Sequence, residues 1–179
     1  MNSVTTATVS LGAVTIGLSI LAWHLTRWWK TGAKAGPGGP GGGGGRDPKV
    51  LIPFLSSVAL GMLCVTAAGG LLGTGATMLL DVGNNLGNWS LTAVTGTVTP
   101  GLTRSGSKSL TPGGCAALVI YIVIVVSIWK SGGKVFHGKV TSGVTCGVML
   151  GLSAGFSGVA AAAVVSVFNA VGDRVTGVI

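Results

Sequence analysis

Residues 115–129 read CAALVIYIVIVVSIW, fifteen positions without a charge and apolar on every side. A helix that buries one stripe in a water-soluble core repeats its apolar residues every third or fourth position, and a half-buried strand repeats them every second. This run has neither period. Its β-branched residues favour strands in water, but in lipid an open sheet leaves backbone N–H and C=O groups without partners. A transmembrane barrel would alternate in polarity, and VIYIVIVV does not. The run predicts a helix surrounded by apolar material.

The rest of the chain cannot supply a soluble domain to surround it. Charged residues make up 8% of the 179 positions, against roughly a quarter in an average soluble protein. Glu is absent, and Asp occurs only at Asp47, Asp81 and Asp173. A surface facing water needs more polar groups than this, whereas a surface facing lipid does not. The expected fold class is an all-α integral membrane protein of about four transmembrane helices, packed through glycine and other small-residue faces.

The apolar runs and the segments between them set the expected order. Helical spans are predicted over residues 1–25, 51–81, 115–130 and 142–172, the last rich in glycine. A basic Gly/Pro-rich loop occupies 26–50, a polar loop 82–114, a short basic loop 131–141 and a tail 173–179. The apolar part of the first span, residues 4–25, reaches about 33 Å as a helix, enough for a hydrocarbon core of about 30 Å. The second is longer than one crossing needs, with room to tilt or to break near Gly69-Gly70.

Orientation follows from the cations. Arg27, Lys30, Lys34, Arg46 and Lys49 lie between spans one and two, and Lys130, Lys134 and Lys139 between spans three and four. The remaining three, Arg104, Lys108 and Arg174, fall on the other side. Basic loops stay in the cytoplasm, so both termini are expected outside. A cleavable signal peptide needs a positive stretch before its apolar core. MNSVTT has none, and the first span reads as an uncleaved anchor. His24, Arg27, Trp28, Trp29 and Lys30 then stand where span one leaves the bilayer, and Trp129 with Lys130 where span three does; indole rings and cations suit that zone. GPGGPGGGGG is a flexible tether.

One pattern has mechanical content. Gly143, Gly147, Gly151 and Gly155 recur at every fourth position, with Gly158 three further on. On one helix they form a groove into which another backbone can press closely. Ser57, Gly61, Gly69 and Gly73 make a weaker stripe in span two, and Ser10, Ala13 and Gly17 one in span one. Span three has no glycine between Cys115 and Trp129 and is expected outermost. The groove can serve packing within one chain or between copies, so a homo-oligomer is one expectation.

Other chemistry is not expected. The three Asp residues are scattered, His24 and His137 have no ligand-spaced partners, and no G-x-S-x-G elbow is present, so neither catalysis, metal nor cofactor is anticipated. Cys64, Cys115 and Cys146 form no CxxC and read as buried free thiols. The net charge of +8 follows from topology, and direct nucleic-acid binding, which wants cations spread over one folded face, is not expected. GLTRSGSKS misses the phosphate-loop spacing by one residue. NWS at Asn88 to Ser90 fits a glycosylation sequon, although Trp89 suits an interface.

In layout the chain resembles the spread proteins, small polytopic membrane proteins of actinobacterial conjugative plasmids. The tether GPGGPGGGGG, the basic exits RWWK and WKSGGK, and the Ala/Gly/Val spans carry the resemblance. It implies a multi-pass protein of the bacterial cytoplasmic membrane that assists a DNA-transfer complex. Residues 115–170, folded about KSGGKVFHGK, are also similar to type IV secretion pilins, which implies filaments outside the cell. Small size, several spans and self-association are similar to a phage holin. Membrane lipid, other copies of the chain and a membrane transfer or secretion complex are the expected partners.

Overall fold

The computed structural model describes residues 9–33, 51–67, 70–97, 101–102, 110–153 and 156–177. These form six helices: α1 (Leu11–Ala33), α2 (Ile52–Thr66), α3 (Gly70–Thr95), α4 (Pro112–Ser131), α5 (Lys134–Gly151) and α6 (Phe156–Thr176). A two-residue antiparallel pair ties β1 (Val9–Ser10) to β2 (Gly101–Leu102), with Val9 opposite Leu102 and Ser10 opposite Gly101. The tether, Lys34, Gly69, Arg104, Lys108 and Gly155 lie outside the described residues.

Local sequence explains where the helices begin and stop. The Ser10 hydroxyl accepts the Ala13 N–H at 3.1 Å and opens α1. Thr111 does the same for α4, accepting from Gly114 N, and Pro112 follows it at the first helical position, where its missing N–H is no loss. α3 stops at Gly96, whose φ of 69° is a left-handed conformation that closes a helix without a Cβ clash. Most Ser and Thr hydroxyls fold back on their own helices: Ser57 donates to Phe54 O at 2.8 Å, Thr66 to Leu63 O at 3.0 Å and Ser166 to Ala162 O at 2.8 Å. That local bonding lets a hydroxyl sit in apolar surroundings. Among the described residues no buried side-chain oxygen or nitrogen lacks a partner.

The helices pair through glycine. α2 and α5 run parallel in the tightest seam. A Cβ on Gly147 would overlap the Val58 carbonyl and stand 3.0 Å from Gly61 Cα, while one on Gly61 would reach Val148 N at 2.8 Å. Gly143 presses on Ser57, and Gly151 on Met62. α1 lies antiparallel to α5, with Gly17 against Met149 and Leu150, and the Cys146 thiol donates to Gly17 O at 3.2 Å. α4 and α6 are antiparallel, Gly113 meeting Gly172 backbone to backbone. The core fills between these seams with Phe54, Leu63, Leu80, Leu118, Val148 and Val165, each at most 2% exposed.

Several expectations change. α4 and α6 (from Gly158) are long and apolar enough to cross a membrane, and α2 with α3 would make a third crossing only as a pair bent by 105°. Among the described residues α1 and α5 do not reach that measure: α1 carries His24, Arg27 and Lys30 in its C-terminal half, and α5 opens on Lys134, His137 and Lys139. Span two is two helices, so Ser57 and Gly61 share a face while Gly73 belongs to α3, against the Ala67 carbonyl oxygen at 2.7 Å. Span four also divides. α5 ends at Gly151, and Gly158 is buried in α6, so the four-residue repeat does not continue along one helix. The supposed loop 82–114 is helical as far as Thr95, and most of 131–141 is the first turns of α5. α4 does lie outermost: Gly113, Gly114 and Leu118 are its buried residues, and Val119, Ile120, Val123 and Ile124 are exposed.

Candidate functional site

Cations from the C-terminal parts of α1 and α4 and from the start of α5 meet at one end of the bundle. His24, near the middle of α1, stacks on Phe54 in the first turn of α2, with ring centroids 4.1 Å apart. Its Nε2 is 2.9 Å from the Ser142 hydroxyl of α5. One side chain thus joins three helices at the level where their sequences turn basic. Lys139 and Arg27 are near enough for their charges to act on the His24 ring. On the other side, the His137 Nε2 lies 2.7 Å from the Trp129 carbonyl oxygen, and the two rings meet edge to face at 5.2 Å. That contact holds the end of α4 against the start of α5, across the two glycines of SGGK.

The result is a collar of Arg27, Lys30, Lys130 and Lys139 with Trp29 and Trp129 exposed among them and Trp28 half-buried. Lys34 lies outside the described residues, and Lys134 opens α5 with its side chain outside them. Cations interleaved with indoles suit a layer of phosphate head groups. Each contributes roughly 1 kcal/mol beside an anionic surface.

The opposite end has different chemistry. Thr111 donates its hydroxyl to Asp173 Oδ1 at 2.8 Å and its N–H to Asn169 Oδ1 at 3.0 Å, so the start of α4 is clamped to the end of α6. Arg174 is exposed there. Midway, the Tyr121 hydroxyl donates to Ser56 O at 2.8 Å, and its ring and that of Phe168 meet edge to face with centroids 5.2 Å apart. Beside this contact a groove of about 280 Å³ opens between α4 and α6, lined by Ala116, Ile120, Ile124, Val167 and Val171.

All three cysteines are free, and they differ in setting: Cys146 is buried, Cys64 half-buried and Cys115 exposed on α4. The reading of all three as buried thiols therefore fails at Cys115, which sits on the outward side of the first turn. Among the described residues no three of His, Cys, Asp and Glu gather as metal ligands would.

Comparison with family models, curated proteins and solved structures finds no match.

The glycines singled out in the sequence divide into three groups. Gly143, Gly147, Gly151 and Gly61 form the α2–α5 seam, which fills the expected groove from inside the chain. Gly73 and Gly158 are buried elsewhere. Gly69 and Gly155 are outside the described residues. Two further seams escaped notice. Gly12 of α1 and Gly87 of α3 touch backbone to backbone, as do Gly113 of α4 and Gly172 of α6. A signal for the first was present: Gly83 and Gly87 are four apart, the spacing of a helix face, but Asn-rich composition disguised that stretch as a loop.

Proposed function

We propose that this chain is a non-enzymatic integral membrane protein of a bacterial cytoplasmic membrane, which docks into a membrane complex or onto further copies of itself. The observation that carries the reading is the separation of charge from apolar surface. Arg27, Lys30, Lys130 and Lys139 come from distant parts of the sequence and gather at one end, while α4 turns Val119, Ile120, Val123, Ile124, Val126 and Ile128 outward. A water-soluble monomer does not expose that much contiguous apolar surface. With the basic collar on the cytoplasmic side, α4 and α6 cross the bilayer and the Thr111–Asp173 clamp lies near the outer surface.

The α2–α5 seam occupies the Gly143–Gly151 face, so association with other chains falls to the outer surfaces. The layout shared with spread proteins makes a DNA-transfer complex the most specific partner. Pilin-like polymerisation is a second reading, favoured by the α4–α5 turn at Gly132-Gly133, although α6 then doubles back along α4.

Extraction from native membranes in mild detergent, with the particle mass measured by light scattering after subtracting detergent, tests the docking role. A discrete particle is expected, holding several chains or this chain with a second protein. A solitary 17.6 kDa chain contradicts docking, and filaments favour the pilin reading instead.

A further inference from the structure

Helix α3 has three faces rather than two. Gly73, Ala76, Leu80, Gly83 and Gly87 are buried, at spacings of three and four. Leu71, Met78, Val82, Leu86 and Trp89 are exposed, at spacings of seven, four, four and three, with Leu71 at 94% and Trp89 at 73%. Between these two faces runs a polar stripe on which Thr74, Asp81, Asn85 and Thr92 are exposed. At 3.6 residues per turn each set forms one continuous strip along the helix.

The buried strip shows where the helix lies. Gly73 rests on Ala67 at the end of α2, Gly83 on Met149 near the end of α5, and Gly87 on Gly12 in the first turn of α1. Ser10 N, just before α1, donates to Asn84 Oδ1 at 2.8 Å. Those three positions are at the same end of the bundle, because α2 and α5 run parallel and α1 runs against them. α3 therefore packs at that end of the bundle, with its axis turned 105° from that of α2. This end is opposite the basic collar, and α3 itself carries no Lys or Arg, with Asp81 its one charged residue.

We infer that α3 is an in-plane helix of the outer leaflet. Its apolar strip enters the boundary between head groups and acyl chains, and its polar strip stays in water. The inference rests on the membrane reading above. Lipid is the occupant that fits, because the exposed apolar strip is flanked along its whole length by exposed Asp81, Asn85 and the threonines. An adsorbed helix has that pattern, and Trp89 suits the same boundary. A helix passing through the bilayer would instead bring Asp81 to mid-depth.

The test is depth measurement by spin labels on the full chain in lipid vesicles, with Cys64, Cys115 and Cys146 replaced by alanine. Single cysteines replace Leu71, Val82 or Leu86 on the apolar strip, Thr74 or Asn85 on the polar strip, and Ile124 on α4. The expected result is one shallow depth for all three apolar-strip sites, water contact at Thr74 and Asn85, and Ile124 near the bilayer centre. If α3 is a span, depth must change by about 16 Å between Leu71 and Val82, at 1.5 Å per residue. Such a gradient with Ile124 still deep overturns the in-plane placement and leaves the membrane reading standing. Apolar-strip labels shielded from both lipid and water assign the face to a protein partner, which also overturns it. Water contact at Ile124 removes the membrane reading and this inference with it. A second readout keeps the native cysteines: the emission lost in Trp89→Phe is expected to be quenched by lipids brominated near the head group, and spared by lipids brominated at the chain ends. The reverse order overturns the placement.

Discussion

Gly147→Ala is expected to destabilise the folded chain by about 1–3 kcal/mol, the usual cost of forcing a methyl into a closed seam. The added Cβ meets backbone rather than a flexible side chain: the Val58 carbonyl, and Gly61 Cα at 3.0 Å. Neither can move without parting α2 from α5. Gly147→Leu, with a larger side chain at the same point, is expected to leave no folded protein. Gly75→Ala gives the contrast. Gly75 is also inside a helix, but nothing lies within 4 Å of its Cβ position. There alanine only improves helix propensity, by up to about 1 kcal/mol. Denaturant unfolding in detergent micelles, followed by circular dichroism, should therefore move in opposite directions for the same chemical change. An unchanged midpoint for Gly147→Ala contradicts the seam. Loss of an oligomer with the monomer still folded moves that seam to an interface between subunits.

Ile124→Arg is expected to have the second large effect, for a reason unrelated to packing. Ile124 is 49% exposed near the middle of α4, so the substitution displaces little of the core. In lipid an arginine at a helix centre is unfavourable by about 3 kcal/mol on insertion scales, which shifts the insertion equilibrium roughly a hundredfold, at 1.4 kcal/mol per decade. In water the same change would cost nothing and improve solubility. The fraction of newly made chain resisting carbonate extraction measures the difference. A sharp fall is expected for Ile124→Arg, and no change for Ile124→Leu. Equal integration of the arginine variant would show that this face does not meet lipid. Leu118→Arg is uninformative, because Leu118 is buried and its loss harms any fold.

The helical class was legible because it depends on composition, and composition survives any error in boundaries. Span three was legible to within a few residues: its apolar run ends at Trp129-Lys130, and Thr111-Pro112 supplies a capping signal at the other end. The α2–α5 seam was half legible. The spacing of Gly143, Gly147 and Gly151 marked a face, but a four-residue repeat says nothing about which backbone fills it. α2 fills it by placing Ser57, Val58 and Gly61 there.

The breaks were harder to read. Hydropathy averaged over a span does not distinguish one long helix from two short ones, and the divisions at α2–α3 and α5–α6 fall in stretches still apolar enough to pass as continuous. The second half of α3, from Val82 to Thr95, was missed for a related reason. Its threonines and asparagines suggest a loop when counted, but by position they occupy one strip, with Leu80, Gly83 and Gly87 on another. The convergence of Arg27 and Lys139 around His24 is a tertiary fact with no local signature, although the charge of both loops anticipated a common side.

Sidedness of the basic collar bears most directly on the membrane account. Single cysteines at Lys130 and at Arg174, in the full chain with Cys64, Cys115 and Cys146 replaced by alanine, can be treated in intact cells with a membrane-impermeant maleimide. The predicted result is labelling at position 174 from outside, and at position 130 only after permeabilisation. Labelling at position 130 in intact cells with position 174 protected would contradict it, as would recovery of the chain as a water-soluble monomer without detergent.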